Sequence, residues 1–130
     1  MASIFTRIIN GELPAYKVAE DDKHLAFLDI QPVSLGHVLV IPKKETDYLF
    51  SLSESELCEL MLFARKVAKR MKKAIDCSRI SVTVIGLEVP HAHIHLIPIN
   101  TMDDCNFSRP KLNVEHAQLQ AIADKINAVN

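Results

Sequence analysis

Two spacings alternate along this chain: apolar residues recur every three or four positions in three segments, and run densely or alternate in five others. The first segment, Ser3 to Asn10, reads as a short helix with Ser3 as its cap, Ile4, Phe5, Ile8 and Ile9 as its apolar face, and Gly11 as its stop. The second, Ser53 to Ile75, is the clearest. Leu57, Leu60, Met61, Ala64, Val67, Ala68 and Met71 recur at helical spacing, and Ser53 with Glu56 makes a capping-box pattern. The third, about Val114 to Asn127, begins after Asn113, read as its cap. Tyr16 to Glu20 and His24 to Ile30 read as strands around an Asp21-Asp22-Lys23 turn, and Pro32 breaks the continuation of the second strand. His37 to Ile41 is a dense apolar run stopped by Pro42, as in a buried strand. Arg79 to Ile85 and Pro90 to Ile99 read as two more strands, with Gly86 to Val89 between them.

Hairpin-compatible strands interrupted by one long helix predict an α+β domain with an antiparallel sheet of about five strands and short terminal helices. Composition agrees with one ordinary globular domain over residues 1–130: 48% of residues are apolar and 24% charged. Its core is expected at about 3–99, with a tail and helix over about 100–130. A net charge of −1 supplies no field for nucleic acid or an anionic membrane, so a phosphorylated ligand needs local donors. The basic end of the long helix (Arg65, Lys66, Lys69, Arg70, Lys72, Lys73) reads as a solvated face complementing the helix dipole, since no aromatics interleave its charges. No run is long enough to span a membrane, and the opening residues lack a secretory pattern, so a cytoplasmic location is expected. Cys58, Cys77 and Cys105, odd in number and widely spaced, are expected as reduced thiols filling apolar gaps.

The chemistry concentrates in Val89-Pro90-His91-Ala92-His93-Ile94-His95-Leu96-Ile97-Pro98. In a strand, His91, His93 and His95 share one face, about 6–7 Å apart, with Ala92, Ile94 and Leu96 on the other. His37, at the start of another strand, is a fourth candidate. The residues alone leave three readings open. The histidines can be structurally satisfied, they can bind a metal, since imidazole is a common ligand for zinc or copper, or one can be a nucleophile that attacks phosphorus and splits one displacement into two.

His91-Ala92-His93-Ile94-His95-Leu96-Ile97 matches H-φ-H-φ-H-φ-φ, where φ is apolar, the signature of the histidine triad (HIT) family. Ile4-Phe5-Thr6-Arg7-Ile8-Ile9-Asn10-Gly11-Glu12-Leu13-Pro14, Glu20-Asp21-Asp22, Ala26-Phe27-Leu28-Asp29-Ile30 and Gly36-His37-Val38-Leu39-Val40-Ile41-Pro42-Lys43-Lys44 resemble that family's segments in the expected order. The resemblance covers roughly residues 3 to 99 and is closest to the small phosphoramidase-like members. It implies a half-barrel fold, usually paired as a homodimer with a continuous sheet. It also implies a nucleotide hydrolase or transferase acting on nucleoside phosphoramidates or dinucleoside polyphosphates, with no metal or cofactor in the covalent step. By the same resemblance His93 is the nucleophile, and His91, His95 and His37 orient it and contact phosphate. Asp29 accepts from the ribose hydroxyls, and Phe5, Ile8, Leu13, Phe27, Leu28 and Ile30 form a slot for a purine base.

The chain departs from the pattern before the triad. Val84 to Val89 is shorter than the family's loop, Leu87 stands where Gln is usual, and Glu88 stands where a small hydroxyl residue sits. Glu88 is therefore a candidate to protonate the leaving group. The same departure supports a second reading, a purine-nucleotide-binding or partner-binding module with weak or no turnover. Ser3 and Thr6 occupy positions where some bacterial relatives hold zinc with cysteines, so that zinc is not expected. The tail from Asn106 is expected to pack on the core or on a partner subunit.

Overall fold

A computed structural model describes residues 2–129. Five strands form one antiparallel sheet in the order β1-β2-β3-β5-β4, where β1 is Lys17–Glu20, β2 His24–Leu28, β3 Val38–Pro42, β4 Arg79–Thr83 and β5 Ile94–Ile99. The helices are α1 (Ile4–Ile9), α2 (Glu54–Ala74) and α3 (His116–Asn127), with short 3-10 turns at Leu49–Ser51 and Met102–Cys105. Among the described residues no helix is long and apolar enough to cross a membrane.

Side-chain alternation divides the sheet's neighbours into two cores. Ala26 and Leu28 of β2, Val38 and Val40 of β3, and Ile94 and Leu96 of β5 pack with Leu60, Ala64, Val67 and Met71 of α2 and with Leu119, Ala123 and Ile126 of α3. Leu25 and Phe27 of β2 and Leu39 and Ile41 of β3 face the other way and meet Phe5 and Ile8 of α1. β2 and β3 are buried on both faces, which explains their unbroken apolar runs. Each fully buried Leu or Ile contributes about 1.5–3 kcal/mol relative to exposure.

The long helix begins as its capping box dictates. Ser53 Oγ accepts from the Glu56 backbone, and the Glu56 side chain accepts from the Ser53 backbone. Ser3 caps α1 in the same way, accepting from Thr6 N–H at 3.0 Å. α3 starts later than the apolar pattern suggests. Its cap is Glu115, not Asn113, because the chain before it is held extended by Leu112 N–H donating to Pro32 O at 2.9 Å.

Three other expectations need correction. The strand read over 90–99 begins only at Ile94. Ahead of it His91 N–H turns back to Val89 O and Ala92 N–H bonds to Thr46 O, so these groups leave the ladder. Arg70 is not part of a solvated face, since its guanidinium donates to the carbonyls of Val18, Ile126 and Val129 and ties α2 to β1 and the end of α3. Of the cysteines, Cys77 alone is buried; Cys58 is exposed and Cys105 partly so.

Candidate active site

β2, β3 and β5 place the site on the α1 side of the sheet. β2 and β3 pair Phe27 with Leu39, and β3 and β5 pair Leu39 with His95. Phe27, Leu39 and His95 therefore share a face, and alternation carries Asp29 and His37 onto it. The pairing extends one step beyond the strands through Asp29 N–H donating to His37 O at 2.9 Å. Gly36 makes the approach to His37 possible. Its φ of +88° lies in the left-handed region, and an added Cβ would stand 2.5 Å from Ile75 Cδ1.

All four predicted histidines are buried, and their hydrogen bonds determine which nitrogen carries each proton. Val33 N–H donates to His37 Nδ1 at 3.2 Å. The proton of neutral His37 is then on Nε2, which donates to His95 Nδ1 at 2.9 Å. His95 is left with its proton on Nε2. His91 Nε2–H donates to Pro42 O at 2.8 Å, and His91 Nδ1 accepts from Ser3 Oγ–H at 2.8 Å. His93 Nδ1–H donates to the His91 carbonyl at 2.6 Å. A carbonyl can only accept, so the lone pair of neutral His93 is on Nε2.

Burial favours the neutral form of three of these rings, His37, His91 and His95. Desolvation, aided by the neighbouring His95, pushes His37 down to about 3. Desolvation and His93 push His95 down to about 4. Desolvation also lowers His91. Asp29 is shifted upward, again chiefly by desolvation, while its Oδ1 accepts from Gln31 N–H at 2.9 Å. The carboxylate's other oxygen lies 3.9 Å from His37 Nε2.

Aromatic rings enclose the cluster. Phe5 meets His93 edge-on with centroids 5.1 Å apart, and meets Phe27 at 5.5 Å. His93 and His95 are edge-to-face at 4.8 Å, closer than regular strand spacing suggests, because His93 precedes the strand. Phe107 from the tail stands against His95 at 5.0 Å.

The expected base slot is only partly assembled. Phe5, Ile8 and Phe27 form one cluster, with Leu13 packed at its edge. Leu28 does not join them: next to Phe27 in a strand, it points to the opposite face and packs under α2. Ile30 lies 61% exposed beyond the end of β2. Glu88 is outside the enclosure, its side chain 84% exposed and its carboxylate 3.9 Å from Lys111 Nζ.

Phe107, Lys111 and Glu45, whose carboxylate accepts from the Ser3 backbone N–H at 2.6 Å, escaped the sequence reading. A lone Phe in a polar tail was a usable hint for the first, while the other two have no local signal. Among the described residues, Asp29, His37 and His95 have donor atoms within 4.8 Å of one another and could take a metal ion. His91 and His93 are outside that group, so the row of three does not itself make a metal site.

The family model for the HIT domain matches residues 10–102. An uncharacterized HIT-like protein from Borreliella burgdorferi is 36% identical over 132 residues, covering 95% of each chain. The adenosine 5'-monophosphoramidase hnt1 of Schizosaccharomyces pombe is 30% identical over 130 residues, covering 98% of each. A crystal structure of a Hit-like protein from Bartonella henselae superposes with a TM-score of 0.84 at 33% identity, covering 97% of this chain and 94% of that one. Sequence and fold thus agree over nearly the whole length, and the chain belongs to the HIT family.

Proposed function

We propose that this protein is a nucleotide hydrolase that cleaves the phosphorus–nitrogen bond of adenosine phosphoramidates through a covalent nucleotidyl-His93. One observation carries the reading. His93 Nδ1 is occupied by the His91 carbonyl at 2.6 Å, which leaves Nε2 as the nucleophilic atom in a ring flanked by Phe5 and His95. The likeness to an adenosine 5'-monophosphoramidase supports the choice of substrate.

In this reading His93 Nε2 attacks the α-phosphorus. The P–N bond breaks, its electron pair goes to the departing nitrogen, and that nitrogen takes up a proton from solvent water. Water then attacks the nucleotidyl-imidazolium, releasing the nucleoside monophosphate and regenerating neutral His93. His95 Nε2–H donates to a phosphate oxygen as negative charge develops there. Asp29 accepts from the ribose hydroxyls, and Phe5, Ile8, Leu13, Phe27 and Ile30 hold the base. Glu88, exposed beside Lys111, is assigned no role in this machinery.

A second reading, a nucleotide-binding module with little turnover, draws on one observation. Leu87, 88% exposed in the loop before the triad, offers no side-chain hydrogen bond to a leaving group.

Hydrolysis of adenosine 5'-phosphoramidate by wild type and His93→Ala, each with and without EDTA, separates the readings. The hydrolase predicts AMP release that EDTA leaves unchanged and His93→Ala abolishes, with an AMP-sized mass adduct on quenched wild type. Tight AMP binding without turnover would overturn it in favour of the binding module, and turnover by His93→Ala would remove the histidine nucleophile.

A further inference from the structure

We propose that Glu45 and Ser3 are positioning residues for His93, acting through His91 to hold the nucleophile in its Nδ1–H form. The catalytic consequence rests on the function proposed above; the proton arrangement does not.

Glu45 lies in the exposed loop that follows β3, far from His93 in sequence. Its Oε1 accepts two hydrogen bonds from the start of α1: Ser3 N–H at 2.6 Å and Thr6 Oγ1–H at 2.6 Å. These two donors draw the carboxyl down to about 2, the Thr6 hydroxyl being the larger cause. The same loop supplies the backbone acceptors for the triad segment. Pro42 O receives His91 Nε2–H, and Thr46 O receives Ala92 N–H at 2.6 Å. The carboxylate therefore clasps α1 to the loop that already holds His91 and Ala92.

That clasp places two side chains. Ser3 Oγ accepts from Thr6 N–H as the helix cap. Its single proton has two acceptors in reach, Thr6 Oγ1 at 3.3 Å and His91 Nδ1 at 2.8 Å, and the shorter contact assigns it to His91. With Nδ1 an acceptor, His91 must carry its proton on Nε2, the form that Pro42 O requires. Both ring nitrogens of His91 are thus engaged, the ring is fully buried, and its backbone carbonyl is held where His93 Nδ1–H can reach it. The second side chain is Phe5, at the start of α1, whose ring stands edge-on to both His91 and His93. A buried imidazole with one unmatched nitrogen would change tautomer or turn over, since an unsatisfied buried polar atom is costly. Either movement frees the carbonyl that orients the nucleophile. His91 is therefore the middle member of a relay running from Glu45 and Ser3 at one end to His93 at the other.

The test uses the full chain as wild type, Ser3→Ala, Ser3→Thr, Glu45→Ala and Glu45→Gln. Long-range nitrogen–proton NMR reads the tautomers of His91 and His93, while thermal melting and steady-state kinetics on adenosine 5'-phosphoramidate are measured in parallel. Wild type should show His91 as Nε2–H and His93 as Nδ1–H. Ser3→Ala and Glu45→Ala should each mix the tautomers of both rings. They should lower kcat about ten- to a hundredfold, the scale of a slightly misplaced reacting group, with KM within about twofold. Ser3→Thr keeps the hydroxyl and Glu45→Gln keeps an acceptor oxygen, so both should restore the single tautomers and most of kcat. The proposal is overturned if the alanine variants keep single tautomers, or if kcat falls only in step with the folded fraction at the assay temperature. If wild type releases no AMP, the hydrolase reading fails by itself, and the tautomer spectra still uphold or overturn the relay.

Discussion

His37 Nε2 and His95 Nδ1 stand 2.9 Å apart, the two rings joined across 58 residues of sequence by one buried hydrogen bond. The bond has a direction, because Val33 N–H already occupies the other nitrogen of His37. A backbone amide in the loop between β2 and β3 thereby decides that His95 presents an N–H, not a lone pair, on its remaining nitrogen. The arrangement works only while both rings are neutral, since protonating either one removes the acceptor that the next donor needs.

That requirement links the site to stability. In the unfolded chain these histidines titrate near about 6.5, whereas burial lowers them to about 3 in His37 and about 4 in His95. The unfolded state therefore binds more protons below the unfolded value, and stability falls as pH falls. Each histidine contributes a slope of about 1.4 kcal/mol per pH unit over that window. Urea melts between pH 7.5 and 5 should show loss of stability well before carboxylates titrate. A curve flat over this range would rule the coupling out, and His37→Asn should reduce the slope.

The tail is part of the fold. α3 buries Leu119, Ala123 and Ile126 in the core under α2, and at about 1.5–3 kcal/mol per large side chain their joint loss rivals the net stability of a small domain. A chain ending at Asn113 should lose cooperative unfolding and expose surface that binds a hydrophobic dye. A truncated chain with a sharp melt near the wild-type temperature would show that α3 is dispensable.

Phe107 closes the enclosure from the tail side, 5.0 Å from His95 and 6.0 Å from His37 between ring centroids. Phe107→Ala should admit water to both rings and weaken the desolvation that keeps them neutral. The acid limb of the kcat/KM profile should then move to higher pH. An unmoved profile would mean that the sheet alone desolvates the histidines.

Gly36→Ala should be destabilising by about 1–3 kcal/mol, from the left-handed φ and the displaced Ile75 side chain. Because Gly36 leads directly into His37, any turnover of adenosine 5'-phosphoramidate should fall further than the folded fraction does. Equal falls in both would make Gly36 a purely structural position.

β4 is the edge of the sheet beside β5, and Val82 within it is 53% exposed. An exposed apolar edge invites pairing with a second copy, in keeping with the homodimer that the family resemblance implies. Sedimentation should give a dimer for wild type and a monomer for Val82→Lys. A wild-type monomer at micromolar concentration would remove this assignment.

Much of the molecule is local and can be read in order along the chain. The capping serines at 3 and 53, the apolar stripe of α2 and the dense runs of β2 and β3 depend on neighbours within a few residues. The alternation His91-Ala92-His93-Ile94-His95 likewise predicts which side chains share a face, though it misplaces the start of β5. Periodicity reports which way a side chain points, but a strand exists only where a partner supplies hydrogen bonds, and Val89 and Thr46 take those of His91 and Ala92 instead. Tertiary structure alone decided the rest. It moved Glu88 to the surface and set Phe107 against His95. It also brought Glu45 to Ser3 and joined His37 to His95. Each of these is decided by residues far apart in sequence, through strand register and helix docking, and no short-range pattern encodes which distant donor a buried imidazole will meet.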